Sequence, residues 1–262
     1  YMLLRHFGKE LYTIKPYMAN RSFFYGEGLF ETILYRGKTK KLLRHYERLS
    51  KSAEYFGIPY PDLETFCDRI EKKAKGKKDI YVKVCLVSYG KPRYYQMPYR
   101  SELKVFVYKY TPLQDPVSVC ISSIKRHSSD PVIKHKTLNY LTHVLVKREA
   151  VQRGFYDGLM LNEKGHITEA SSANLILVKK DSIYTPHIAS GLLLGTTLKS
   201  IMEKLEVKEK EVKPEDVFGA DHLFLVNSLI GVLPVMRLEN KIFSVDESLT
   251  QYLRSIVEEE NR

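Results

Sequence analysis

No tryptophan occurs in the 262 residues, and cysteine is nearly as scarce. Cys67, Cys85 and Cys120 are an odd number, spaced far apart. They form neither a disulfide framework nor a CxxC site, which points to a reducing compartment and a cytoplasmic protein. Glycine and proline, at 14 and 11, are too few for a collagen-like or disordered chain. No apolar run approaches the roughly 18 residues of a spanning helix, so no association with a membrane is expected. The stretch 1–20 mixes Arg5, His6, Lys9, Glu10 and Lys15 into its apolar residues, unlike a signal peptide. The eight histidines show no HExxH pair, and there is no GxSxG elbow. Gly26-Glu27-Gly28 lacks the third glycine of a dinucleotide fingerprint. Metal-dependent, serine-hydrolase and nicotinamide chemistry are therefore unsupported, and no metal site is expected.

Positive charge is plentiful, with 42 Lys and Arg against 31 Asp and Glu, a net +11. Most of it is mixed with acid, as in Glu203-Lys204 and Lys208-Glu209-Lys210-Glu211. That pattern reads as a solvated surface, and no RNP-type aromatic motif supports a nucleic-acid partner. The purely basic run Lys72 to Lys78 closes an amphipathic helix and suits its negative end. A basic surface also attracts small anionic substrates.

Strands and helices alternate without repeats. Gly28–Tyr35 alternates as a strand, and Leu42–Phe56 reads as a helix with Leu43, Leu49, Ala53 and Tyr55 on or near its apolar side. Pro59 and Pro61 stop it, and Asp62 caps a second helix to about Lys75. Ile80–Ser88 and Leu103–Tyr110 are strands. The segment 111–116, with two prolines, reads as a linker between lobes 1–110 and 117–262. Beyond it the pattern predicts strands at 117–124, 158–161, 167–169, 173–178, 222–226 and 232–237. Helices are predicted at about 138–153, 196–205 and from 247. Strand runs broken by isolated helices indicate an α+β fold in two lobes.

Three segments carry chemistry. Lys136-Thr137-Leu138-Asn139-Tyr140 puts a lysine where a polar loop enters an apolar helix. Desolvation there would lower its pKa and suit it to Schiff-base formation. Thr168-Glu169-Ala170-Ser171-Ser172-Ala173-Asn174 sets a carboxylate at a strand end among small residues that let a flat ligand approach the backbone. Gly195-Thr196-Thr197 opens a helix with free N–H groups, which is either an anion site or an ordinary threonine cap.

In order, these segments resemble the fold-type IV (class IV aminotransferase) family of pyridoxal-phosphate enzymes. The resemblance also runs through Tyr25-Gly26-Glu27-Gly28-Leu29-Phe30-Glu31, His45-Tyr46-Glu47-Arg48-Leu49, Tyr184-Thr185-Pro186, Val226-Asn227-Ser228 and Pro234-Val235. It implies an N-terminal α+β sandwich and a C-terminal pseudo-barrel, with pyridoxal 5′-phosphate in the cleft between them, and a homodimer. It implies that Lys136 is the Schiff-base lysine and proton shuttle, and that Glu169 pairs with the pyridine nitrogen. Arg48, Thr196, Thr197 and Ser228 would hold the phosphate, Tyr140 the ring hydroxyl, and Ser172 would lie at the cofactor. Thr196, Ser228 and Leu194 depart from the usual isoleucine, threonine and proline without removing a needed group.

The loop Ser88-Tyr89-Gly90-Lys91-Pro92-Arg93-Tyr94-Tyr95 bears on the substrate. Its Arg93-Tyr94-Tyr95 is similar to the Arg-x-Tyr of aminodeoxychorismate lyases, whereas D-amino-acid aminotransferases carry Arg-x-His. Tyr89 stands where lyases commonly have arginine. Phe30 and Thr32 differ from the residues the D-amino-acid and branched-chain transaminases carry. The resemblance thus implies an amino-acid-like anionic substrate met by Phe30, Lys91, Arg93 and Tyr95. The expected activity is elimination to 4-aminobenzoate and pyruvate, with transamination of branched-chain or D-amino acids as the alternative.

Overall fold

The computed structural model describes residues 18–113 and 116–260. The N-terminal reading at 1–17, and Gln114 and Asp115 of the linker, lie outside the described residues. The chain begins with β1 (Ala19–Asn20), α1 (Arg21–Tyr25), β2 (Gly28–Leu34), α2 (Lys40–Phe56), α3 (Leu63–Ala74), β3 (Ile80–Gly90) and β4 (Arg100–Lys109). β3 is central in a four-stranded antiparallel sheet, with β4 along one side and β2, continued by β1, along the other.

The alternation of β2 sorts its residues between two faces. Leu29 and Ile33 pack with Leu42, Leu49 and Ala53 of α2, Phe66 and Ile70 of α3, and Val82, Val84 and Leu86 of β3. Burying each large aliphatic side chain contributes roughly 1.5–3 kcal/mol. Phe30 and Thr32 face the other way, into a cleft. On α2 the buried stripe is Leu42, Leu49 and Ala53, while Leu43 and Tyr55 are exposed. Asp62 caps α3 by accepting from Thr65 N at 2.7 Å, and Lys72 and Lys73 occupy its last turn.

The second part comprises β5 (Val117–Arg126), α4 (Leu141–Gln152), β6 (Asp157–Asn162), β7 (Ile167–Ala170), β8 (Asn174–Lys179) and β9 (Ser182–Pro186). There follow α5 (Thr196–Lys204), β10 (Val207–Lys210), α6 (Pro214–Phe218), β11 (His222–Asn227), β12 (Gly231–Leu238), β13 (Lys241–Ile242) and α7 (Glu247–Glu259). Its strands form one nine-stranded sheet in the order β10-β9-β8-β11-β12-β5-β6-β7, with β13 on β12. The sheet curls until β7 meets the chain just past β10, where Ile167 N donates to Val212 O at 2.7 Å. Leu159, Ile167, Leu175, Val212, Leu223 and Leu233 pack in one core, and α5 and α7 pack on Ile176, Phe224 and Val226 in another.

β10 is the run expected to be simply a solvated surface. It is a strand parallel to β9, at the end of the sheet path, and its charged side chains suit an end strand. No helix among the described residues is long and apolar enough to cross a membrane.

Candidate active site

The two sheets meet along β2. Phe30 N donates to Lys136 O at 2.9 Å, and Leu138 N donates to Gly28 O at 2.8 Å. This short antiparallel contact, centred on Leu29 and Thr137, sets the backbone of Lys136 against the first sheet. Lys136 therefore precedes α4, whose N-cap is Tyr140. Gly28 is required here, because a Cβ would collide with Ser22 and Leu138. Ser228 Oγ ties the sheets again by donating to Thr32 O at 2.6 Å.

A cavity of about 580 Å³ opens between them. Phe30, Arg48, Lys136, Tyr140, Glu169, Ser172 and Ser228 all line it. Thr196 and Thr197 do not, but Gly195, the N-cap of α5, does. Lys136 Nζ lies 4.4 Å from the Phe30 ring centroid and 5.7 Å from that of Tyr140. Burial, reinforced by the Arg48 charge, lowers its pKa to about 8, against the opposing pull of Glu31 and Glu169. A good fraction of the amine is thus neutral and nucleophilic near physiological pH.

Glu169 is buried at the end of β7. Burial pushes its carboxyl pKa up, opposed chiefly by Arg126. Arg126 Nη1 donates to Glu169 Oε1, while Leu193 N and Asn174 Nδ2 each reach a carboxylate oxygen at 3.3 Å. Asn174 also accepts from Gly195 N at 2.9 Å, in a contact so close that a Cβ on residue 195 would strike its side-chain oxygen. The carboxylate strand and the start of α5 are therefore joined through one asparagine.

Arg48 is held from behind. Its Nε and Nη2 donate to Glu31 at 2.8 and 2.6 Å, and His45 Nδ1 lies 2.6 Å from the same carboxylate. Burial raises the Glu31 pKa, but Arg48 and His45 outweigh it and bring it down to about 2. Burial also lowers the His45 pKa, and His45 Nε2 has no partner among the described residues. His45 Nδ1 is accordingly the donor to a carboxylate that can only accept. Arg48 Nη1 is left pointing toward Leu194 O at 3.4 Å.

Two features fit a phosphate opposite that guanidinium. The N-terminus of α5 has no side-chain cap, and the buried Thr197 Oγ1 has no hydrogen-bond partner among the described residues. Uncapped N–H groups at a helix start attract anions. At the other side, Tyr140 OH donates to Ser171 O at 3.0 Å, its pKa raised by burial. His143 stacks on the Tyr140 ring at 4.3 Å and 7°, with Nδ1 2.8 Å from the same carbonyl. Ser172 Oγ donates to the buried Asp157 at 3.2 Å.

Lys91, Arg93 and Tyr95 are not among the cavity's lining residues. Buried Arg21 fixes their loop from behind, donating to Lys91 O, Arg93 O and Tyr94 O at 2.9–3.0 Å. All three side chains are exposed. The structure instead adds residues that sequence reasoning missed: Lys83, Lys125, Arg126 and His127 in the cavity, and Glu31 behind it. The consecutive bases Lys125-Arg126-His127 at a strand end were a visible signal. Lys83 carried none, since only its pairing with Thr32 turns it to the cleft.

Residues 28–238 match the amino-transferase class IV family. The chain belongs to that family. Its cofactor is pyridoxal 5′-phosphate. Among relatives, an aminodeoxychorismate lyase of Vibrio harveyi is 28% identical over 90% of this chain and 93% of its own. A D-alanine aminotransferase of Bacillus licheniformis is 27% identical over 86% and 83%. A Legionella pneumophila structure, provisionally assigned as a 4-amino-4-deoxychorismate lyase, is 28% identical with a TM-score of 0.85, covering 95% of this chain and 97% of its own. The fold is shared with a branched-chain amino acid aminotransferase of T.th., solved with N-(5′-phosphopyridoxyl)-L-glutamate (22% identity, TM-score 0.79, 94% and 88% covered). The two-lobed fold-type IV architecture is thereby established. Lyases and transaminases both occur among these relatives, within one common framework.

Proposed function

We propose that this enzyme is a 4-amino-4-deoxychorismate lyase, releasing 4-aminobenzoate and pyruvate for folate biosynthesis. The observation that carries the reading is the charge of the cavity. Lys83 and Lys125 line it without an ion-pair partner among the described residues, leaving two cations for a substrate with two carboxylates.

Pyridoxal phosphate would supply an electron sink for the pair left when the amine-bearing carbon loses its proton. Lys136 would hold the cofactor and take that proton on Nζ. Glu169, paired with Arg126, would face the pyridine nitrogen and share a proton with it. Arg48, the start of α5 and Ser228 would hold the phosphate, and Tyr140, whose O–H donates to Ser171 O, would accept from the ring hydroxyl. The enolpyruvyl oxygen would leave with the electrons of its C–O bond and the fragment would take up the proton held by Lys136, giving pyruvate, while aromatisation of the ring drives the step. These groups serve transamination equally, so the orientation of the leaving group decides the outcome.

The same reading makes the enzyme a homodimer in which Lys91, Arg93 and Tyr95 serve the partner's cleft. Phe23, Phe24, Tyr94, Tyr95, Met97 and Tyr99 are exposed around α1 and that loop, an apolar surface that suits an interface. The deciding assay supplies aminodeoxychorismate, generated from chorismate and glutamine, and measures 4-aminobenzoate and pyruvate. Leucine, valine and D-alanine are offered with 2-oxoglutarate in parallel. Glutamate formation without 4-aminobenzoate would replace the lyase reading with the transaminase one.

A further inference from the structure

One face of α2 carries contacts to the second part of the chain. Lys41, Arg44, Arg48, Ser52 and Tyr55 recur at three- and four-residue spacing and so share that face. Ser52 Oγ is 3.0 Å from His135 Nδ1, and Tyr55 stacks on His135 at 4.4 Å, immediately before Lys136 in the chain. Arg44, one turn before Arg48, forms the largest contact. Its Nη1 and Nη2 donate to Glu203 of α5 at 2.8 and 2.5 Å. Its Nε and Nη2 donate to Glu260, just past α7, at 3.1 and 2.6 Å. Ser200 Oγ of α5 donates to Glu260 as well.

Glu203 lies two turns along the helix whose first turn is Thr196 and Thr197. The network therefore clamps together the two helices that bound the phosphate end of the cavity. Glu31 neutralises Arg48, while Lys41 and Arg44 add basic groups on the same face of α2, toward the partly positive N-terminus of α5. Glu203 and Glu260 are the counter-charges between them, and the Glu260 side chain is only 8% exposed, where solvent screens little. A helix is stiff over one turn, about 5.4 Å, so a displacement at Arg44 is passed on to Arg48.

We propose that the Arg44–Glu203–Glu260 network is an interlobe latch. It sets the separation between Arg48 and the start of α5, and through it the affinity for the cofactor's phosphate. Arg44 is thus a positioning residue. The inference rests on the reading of Arg48 and α5 as the phosphate holders.

The test titrates apoprotein with pyridoxal phosphate and, separately, with pyridoxal, which lacks the phosphate. The variants are Arg44→Ala, Glu203→Gln and, as reference, Arg48→Ala. Arg44→Ala should weaken pyridoxal phosphate about tenfold and Glu203→Gln about threefold, with pyridoxal changed less than about twofold. Equal weakening of both ligands would mean general loosening of the site and overturn the latch. So would unchanged pyridoxal phosphate affinity in the two latch variants while Arg48→Ala loses it. If Arg48→Ala itself changes nothing, the phosphate reading fails first, and the latch with it. Should Arg44→Ala fail to fold, Glu203→Gln decides alone, since that side chain is 46% exposed and its loss is mild.

Discussion

Replacing Glu31 with glutamine removes one buried charge while preserving shape. Glu31 is fully buried and takes two hydrogen bonds from Arg48 and one from His45. Its carboxyl titrates near 2 rather than 4.5: burial pushes it up, and Arg48 and His45 pull it down further. That gap corresponds to about 3 kcal/mol of folding stability at neutral pH. Removing one partner of a buried ion pair costs about 3–5 kcal/mol, which agrees. Arg48 is the larger of the two electrostatic sources, ahead of His45.

The sign follows from the lowered pKa. The stabilisation is complete above pH 4.5 and is lost as pH falls through 2. Urea denaturation of the apoprotein should therefore show Glu31→Gln less stable by about 3 kcal/mol at pH 7 and by about half that at pH 3. A loss below about 1 kcal/mol at pH 7, or an equal loss at both pH values, would refute the reasoning.

Arg48→Ala should weaken pyridoxal phosphate by roughly tenfold to a hundredfold, recoverable with excess cofactor, since a charge-assisted contact contributes about 1.5–3 kcal/mol. Lys136→Ala should lose turnover that excess cofactor does not restore, and borohydride should fix the cofactor to Lys136 in the parent protein; label on another lysine contradicts the assignment. The rate at which apoprotein captures pyridoxal phosphate should rise with pH through about 8, because burial lowers the Lys136 pKa and only the neutral amine attacks. A midpoint near that of an ordinary lysine would show the amine to be solvated. Mixing equal amounts of Arg93→Ala and Lys136→Ala proteins under conditions of subunit exchange should restore about a quarter of parental activity if the loop serves its partner's cleft. No recovery would mean that the loop serves its own chain's cleft, and an Arg93→Ala protein fully active by itself would place Arg93 outside both sites.

Much of the site was legible because its chemistry is written locally. A lysine before an apolar helix, a carboxylate ending a strand among serines, and a glycine opening α5 are each visible within a few residues. The alternation of β2 likewise determines that Phe30 and Thr32 share one face while Leu29, Glu31 and Ile33 share the other. Three- and four-residue periodicity placed α2, α3, α5 and α7 to within a few residues.

Tertiary structure decided what depends on distance in the chain. Arg126 and Glu169 become partners only because β5 and β7 flank β6, and Lys83 enters the cleft only because β2 and β3 pair in one register. Glu31 looked like part of a motif, but its partners His45 and Arg48 lie on a different element. The mixed run around Lys208 is exposed, as its charge pattern indicates, but that it is a strand shows only once β9 is beside it, since a strand at the end of a sheet can carry charge on both faces. The loop of Lys91, Arg93 and Tyr95 shows the converse. Its residue types suit a substrate carboxylate, but Arg21 binds its carbonyls from inside and turns its side chains away from this chain's own cavity. Side-chain chemistry is a property of the residue and survives in the sequence, whereas which charges neutralise one another is set by packing.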